Sequence, residues 1–170
     1  MKLSIILSIF ILNNLSLIFA QNDEEIFKQT RLQFKTINDE IKTYTTLSDD
    51  STIVESGTDQ IIIAYYKGKQ LMKIEKNYLG DMAESSFQYY FWNQQLFFVF
   101  TTFTYHSYND GNEQTVTNEN RFYFNDNKLI RWLDSGKKQK DKNSADFKNE
   151  ENNWIENAKK LLDKYKKKDD

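Results

Sequence analysis

The stretch Arg121-Phe122-Tyr123-Phe124-Asn125-Asp126-Asn127-Lys128-Leu129-Ile130-Arg131-Trp132 reads as two short apolar strands folded about a polar turn. Asn and Asp tolerate the positive φ that a tight turn demands, and the flanking aromatic and β-branched residues suit a pleated surface. The same arrangement occurs twice before it, in Ala64-Tyr65-Tyr66-Lys67-Gly68-Lys69-Gln70-Leu71-Met72-Lys73-Ile74 and in Gln88-Tyr89-Tyr90-Phe91-Trp92-Asn93-Gln94-Gln95-Leu96-Phe97-Phe98-Val99. Each copy has an aromatic pair ending in Tyr, a short polar turn, then Leu and a second apolar strand. Aligned on that pair, the first copy has a turn one residue shorter. Three hairpins in succession imply an antiparallel meander of about six strands, because a parallel sheet would need helical crossovers between them.

If the second and third turns centre on Asn93-Gln94 and Asp126-Asn127, directly opposed residues share a face. One face then carries Phe87, Tyr89, Phe91, Leu96, Phe98 and Phe100, continued by Phe122, Phe124 and Leu129. The other carries Tyr90, Phe97 and Val99, continued by Arg121, Tyr123, Ile130 and Trp132. The first is the stronger core candidate. A one-residue slip in register would exchange them.

Helical periodicity brackets the strands. Phe27, Thr30, Phe34, Ile37, Ile41 and Tyr44 recur at three- and four-residue steps, and Asn22 with Glu25 matches a capping box, so a helix is expected over 22–44. Phe147, Glu151, Trp154, Ile155, Ala158, Leu161, Leu162 and Tyr165 give a second amphipathic helix, with Ser144 or Asp146 as its cap. Between the first helix and the hairpins, Ser48-Asp49-Asp50-Ser51 signals a loop and Thr52-Ile53-Val54 a short strand. Gly136 to Ser144 reads as a charged linker. The expected fold class is α+β, a six-strand meander flanked by an N-terminal and a C-terminal helix.

Residues 1–20 read as a cleavable secretory signal: Lys2, an apolar run from Leu3 broken by Asn13-Asn14 and resumed to Phe19, then Ala20 before a polar segment. An uncleaved anchor is the alternative, but the uninterrupted apolar run is far short of the ~20 residues a spanning helix needs. The working protein is expected to begin at about Gln21, with one domain over 21–165 and a frayed tail over 166–170. The absence of cysteine removes disulfides, thiolate ligands and a lipid-modified N-terminal Cys. With no glycosylation sequon after residue 20, the expected location is the periplasm or exterior of a Gram-negative bacterium. A formal net charge of −2 with mixed signs gives no footprint for nucleic acid. The basic runs Lys137–Lys142 and Lys164–Lys168 read as solvated surface.

The order of features resembles that of exported proteins of Bacteroidetes-type bacteria. It comprises an initial helix, the hairpin beginning Tyr65-Tyr66-Lys67-Gly68, the Tyr78-Leu79-Gly80-Asp81 segment, two further aromatic hairpins and a final helix. The likeness covers nearly the whole chain after residue 20 and implies a hairpin-built fold, with no activity attached. The aromatic-turn-Leu unit is also similar to MORN-type repeats, without their glycine spacing.

Few residues offer chemistry. His106 is the single histidine, too few for a multi-His zinc set, and no Gly-x-Ser-x-Gly elbow accompanies it. It is expected to be a surface loop residue. Asn109-Asp110-Gly111-Asn112-Glu113 fails the calcium-loop spacing and reads as a hairpin turn. Glu55, Asp81 and Glu84 are the carboxylates nearest to a hydrolase pair, and they lie in polar connections. No phosphate-cradling or dinucleotide motif is present, and no cofactor or metal is expected. Aromatic residues make up 15% of the chain and concentrate in the hairpins, which suits recognition at a surface. The expectation is a non-catalytic exported binding module for a protein or peptide, using the second sheet face around Tyr90, Arg121, Tyr123 and Trp132. A carboxylate-based hydrolase and an immunity or inhibitor protein are the alternatives.

Overall fold

The structure, a computed structural model, describes residues 24–53, 58–109 and 112–166. Helix α1 occupies 24–40 and ends in a turn of 3-10 helix, Ile41–Thr43. Seven strands follow: β1 Thr45–Ile53, β2 Thr58–Lys67, β3 Gln70–Leu79, β4 Ala83–Trp92, β5 Gln95–Asn109, β6 Asn112–Asn125 and β7 Lys128–Leu133. They form one antiparallel sheet in chain order, and helix α2, Ala145–Tyr165, closes the chain. The α+β meander with a helix at each end is therefore the observed fold. The segment expected to be a signal, Asn22 of the expected capping box, Glu55 and the tail beyond Lys166 lie outside the described residues.

The sheet has one strand more than the hairpin count gave. Thr45–Ile53 pairs along its whole length with β2, from Thr45 opposite Tyr66 to Ile53 opposite Thr58, so Ser48-Asp49-Asp50-Ser51 is strand and not loop. Pairing to a neighbour overrode weak local propensity, as it does on sheet edges. Acidic residues on an exposed edge also oppose pairing with another chain.

The three hairpins prove equal in turn length. Gly68-Lys69, Asn93-Gln94 and Asp126-Asn127 are the turn pairs, flanked by Lys67 opposite Gln70, Trp92 opposite Gln95 and Asn125 opposite Lys128. Positive φ is found at Gly68 (64°), at both Asn93 and Gln94 (50° and 62°), and at both Asp126 and Asn127 (49° and 57°). Two positive-φ residues twist the flanking strands in the direction a hairpin requires. The equivalent tyrosines are thus Tyr65, Tyr90 and Tyr123, one position earlier in the first copy than the aromatic-pair alignment gave.

A second shared feature was not read from the sequence. Just beyond each turn, the register shifts by one residue, between Tyr65 and Tyr66, between Tyr90 and Phe91, and between Tyr123 and Phe124. The extra residue on the returning strand is Met72, Phe97 or Ile130. Such a bulge opposes two residues to one and reverses the alternation beyond it. Phe98 and Phe100 therefore pair with Tyr90 and Gln88 on the second face, while Val99 and Trp132 fall with Tyr89 and Phe122 on the first. The expected assignment of these four residues is corrected accordingly.

Each face is covered by one helix. Under α2 lie Ile62, Ala64, Tyr66, Ile74, Tyr89, Phe91, Val99, Phe122 and Phe124, with the post-turn leucines Leu71, Leu96 and Leu129. Phe147, Trp154, Ala158, Leu161 and Tyr165 answer from the helix at three-, four- and seven-residue steps. Trp154 stands 5.0–6.1 Å from the rings of Phe87, Tyr89 and Phe122. Ser144 is the N-cap, accepting from the Phe147 N–H at 3.2 Å. On the other face, Met72, Tyr90, Phe97 and Phe98 pack with Ile37 and Tyr44. The β7 edge is closed by side chain and loop: the Leu129 N–H donates to Glu151 Oε2 at 2.7 Å, and Trp132 O accepts from the Lys140 N–H at 3.0 Å.

Candidate functional site

Beyond the second bulge, Phe98 lies opposite Tyr123 and Phe100 opposite Arg121, so four side chains form a block on the α1 face of β5 and β6. Helix α1 passes one side of the block and contributes Thr30, Arg31 and Phe34. The Phe34 ring meets Phe98 edge-on at 5.4 Å and Tyr90 at 5.0 Å. Between helix and sheet these residues bound a groove of about 320 Å³. Its walls are mainly aromatic, with Thr30, Arg31 and Arg121 completing the lining.

The cations of the groove are incompletely matched. Arg121 lies with its Cζ 5.1 Å from the centre of the Phe100 ring, and its Nη2 donates to Glu119 Oε2 at 2.6 Å. Its Nη1 is shielded from solvent and has no hydrogen-bond partner. On the next strand, Arg131 rests against the Phe27 and Tyr123 rings at 4.8 and 5.9 Å, and its Nε is likewise buried without an acceptor. Arg31, exposed on α1, pairs with no described carboxylate. Buried unpaired donors are rare in folded proteins and cost about 1–3 kcal/mol each, more when charged.

The four residues expected at the site separate. Arg121 and Tyr123 line the groove together. Tyr90 lies on the same face but is 1% exposed beneath α1. Its hydroxyl donates to Gln88 Oε1 at 2.8 Å, with Asn38 Oδ1 at 3.3 Å. Burial raises its pKa, against the pull of the Lys73 ammonium. Trp132 is on the opposite face, stacked on Phe122 at 5.3 Å and donating from Nε1 to Asn120 Oδ1 at 3.1 Å, with Lys140 over its ring at 5.5 Å. It is removed from the site by the single residue that the third bulge inserts. Phe98, Phe100 and Phe34 take its place; their aromatic character was visible in the sequence, but their common face was not.

A second polar cluster lies deeper on the same face. The Lys73 side chain is 5% exposed and ion-pairs with Glu75, with its ammonium 4.9 Å from the Tyr90 ring centre and 5.7 Å from that of Tyr65. The Tyr65 hydroxyl donates to Glu75 Oε2 at 3.1 Å. Burial, then the Glu75 charge, pushes the Tyr65 phenol up to about 12. This network reads as part of the anchor of α1 on the sheet, since Tyr90 also meets Phe34 and Asn38.

His106 is within β5 and not in a loop. Its Nδ1 is 3.2 Å from Thr115 Oγ1, and its Nε2 is 4.0 Å from Glu84 Oε1. Hydroxyl, imidazole and carboxylate thus neighbour one another on β4, β5 and β6, away from the residues that line the groove at α1. Among the described residues, no three His, Cys, Asp or Glu side chains are placed to hold a metal ion. On the α2 face the sheet outruns its helix, leaving Phe103, Tyr105 and Val116 about half exposed. Among the described residues, no helix is long and apolar enough to cross a membrane. No family model matches the chain, and neither a curated protein nor a solved structure matches it.

Proposed function

We propose that the protein is a non-catalytic exported binding module whose ligand enters the groove between α1 and strands β5 and β6. The observation that carries the reading is the groove itself, an aromatic cleft whose lining includes the Arg31 and Arg121 side chains. Small-ligand sites are concave, mostly apolar and furnished with a few convergent polar groups. Export to the periplasm or exterior of a Gram-negative bacterium rests on Lys2, the apolar run to Phe19 and the polar segment from Gln21. The likeness to exported Bacteroidetes-type chains accords with it.

The carboxylate-hydrolase alternative is supported less well. Its best arrangement, Thr115, His106 and Glu84, lies outside the groove, with the Glu84 carboxylate more than half exposed to water.

The test is expression with residues 1–20 in a Gram-negative host, followed by recovery from periplasm and medium. Mass analysis of the recovered chain should give an N-terminus at or near Gln21. Native mass spectrometry of the purified protein should then show retained material that a Phe100→Ser variant loses. Equal retention by the two proteins would refute the groove as the binding site, and full-length protein confined to the cytoplasm would refute export.

A further inference from the structure

We infer that the ligand of this groove is a small amphiphilic carboxylate, an aliphatic or aromatic acid whose apolar body lies among Phe34, Phe98 and Phe100 and whose carboxylate meets Arg121. The inference rests on the binding-site reading and adds the chemistry of the ligand.

Charge comes first. Arg31 and Arg121 line the groove, and Arg131 lies on the adjacent strand against Phe27 and Tyr123. Among the described residues, the one carboxylate bonded to these guanidinium groups is Glu119. The local surplus is positive in a chain whose formal net charge is −2. A cleft lined by one sign of charge with low-dielectric walls focuses its field on the opposite ion.

Geometry selects among anions. Arg121 is fixed from below by the Phe100 ring and from one side by Glu119, which leaves Nη1 as the nitrogen without an acceptor. Nη1 is itself shielded from solvent, so a ligand carboxylate meets the quarter of the Arg121 side chain that stays exposed, together with the exposed Arg31. It is held by their charge within apolar walls rather than by a bond to Nη1. The Arg131 Nε, buried and unbonded on the adjacent strand, adds positive potential at the same side.

Size selects the body. At about 320 Å³ the groove sits at the low end of small-molecule sites, which span ~300–1,000 Å³. A volume at that end of the range suits a small acid rather than a drug-sized ligand. The mainly aromatic walls disfavour a highly hydrated anion such as a sugar phosphate, which would trade most of its hydration for apolar contact.

The experiment titrates the full-length mature protein with sodium octanoate, 1-octanol and octylammonium chloride, read by calorimetry and by shifts of the groove resonances in NMR. Octanoate should bind and move Phe98, Phe100 and Tyr123, with octanol weaker by about tenfold or more and octylammonium weaker still. Arg121→Gln should weaken octanoate by about tenfold. Arg31→Met, an exposed change with no ion pair to break, should weaken it by about threefold while leaving the thermal midpoint unchanged. Equal affinity for octanoate and octanol, or preference for octylammonium, would overturn the anionic assignment while leaving the groove as a binding site. Should none of the three perturb the groove, this assignment fails; if the Phe100→Ser comparison also shows equal retention, the binding-site reading falls with it.

Discussion

The Tyr66 hydroxyl donates to the main-chain carbonyl of Tyr165 at 2.8 Å, tying the end of β2 to the last turn of α2. Helix ends leave their last carbonyls without intrahelical partners, and this one is buried under the sheet. Tyr66 is 2% exposed, so water cannot take its place. Tyr66→Phe should therefore destabilise the protein by about 1–3 kcal/mol, since the acceptor stays buried without its donor. Urea denaturation would show a lower midpoint at unchanged slope. An unchanged midpoint would mean that the carbonyl finds another partner.

The Lys73–Glu75 pair makes an opposite forecast for single and double changes. The Lys73 side chain is 5% exposed, held by the Glu75 carboxylate and the Tyr65 and Tyr90 rings. Lys73→Ala empties a buried site and leaves a partly buried carboxylate with the Tyr65 hydroxyl but no cation, and should cost about 2–4 kcal/mol. The double variant Lys73→Met with Glu75→Gln removes both charges, keeps an acceptor for the Tyr65 hydroxyl, and should recover more than half of that loss. A double variant no better than Lys73→Ala would show that the ammonium contributes through its ring contacts rather than the ion pair.

Alkaline pH should unfold the protein through its tyrosines. Burial pushes the Tyr65 phenol up to about 12, and it also raises Tyr66, Tyr89 and Tyr90. An unfolded tyrosine ionises near ~10. Above that value the unfolded chain loses protons that the folded chain keeps. The stabilisation is thus complete below about pH 10 and falls as pH rises towards the folded values. Urea midpoints should decline between about pH 9.5 and 11.5, and Tyr65→Phe should make the decline shallower. A pH-independent midpoint over that range would refute the argument.

Gln94 is the least suited residue in the three turns, with a φ of 62° and a side chain that gains nothing from it. Gln94→Gly should stabilise by about 0.5–1 kcal/mol, because glycine adopts this conformation without steric cost. The gain would appear as a higher thermal midpoint. Leu96, two residues later and 5% exposed, should behave oppositely, with Leu96→Ala losing about 2–5 kcal/mol.

How much of the site was legible can be argued from Phe98 and Trp132. Both announce themselves as apolar residues on strands after a turn. Counting from the turn puts Phe98 with Tyr89 and Trp132 with Tyr123, and the bulges reverse both. Nothing in Leu96-Phe97-Phe98 demands a bulge, since two aromatics in succession fit either pairing locally. Packing of Phe97 and Phe98 together under α1, with Leu96 and Val99 under α2, is what favours it. The β1 strand was missed for a related reason: Ser48-Asp49-Asp50-Ser51 has loop composition, and the exposed edge of β2 made it a strand.

The sequence by itself determined the antiparallel order, the two-residue turns at Asn93-Gln94 and Asp126-Asn127, the post-turn leucines and the two amphipathic helices. These follow from local chemistry: positive-φ tolerance, β-propensity and helical period act within a few residues. Which aromatic faced which helix was decided only by the tertiary structure. Side chains on a strand alternate with period two, so a single inserted residue inverts every face beyond it. That inversion carried Trp132 away from Tyr123, brought Phe98 and Phe100 beside Arg121, and so formed the groove.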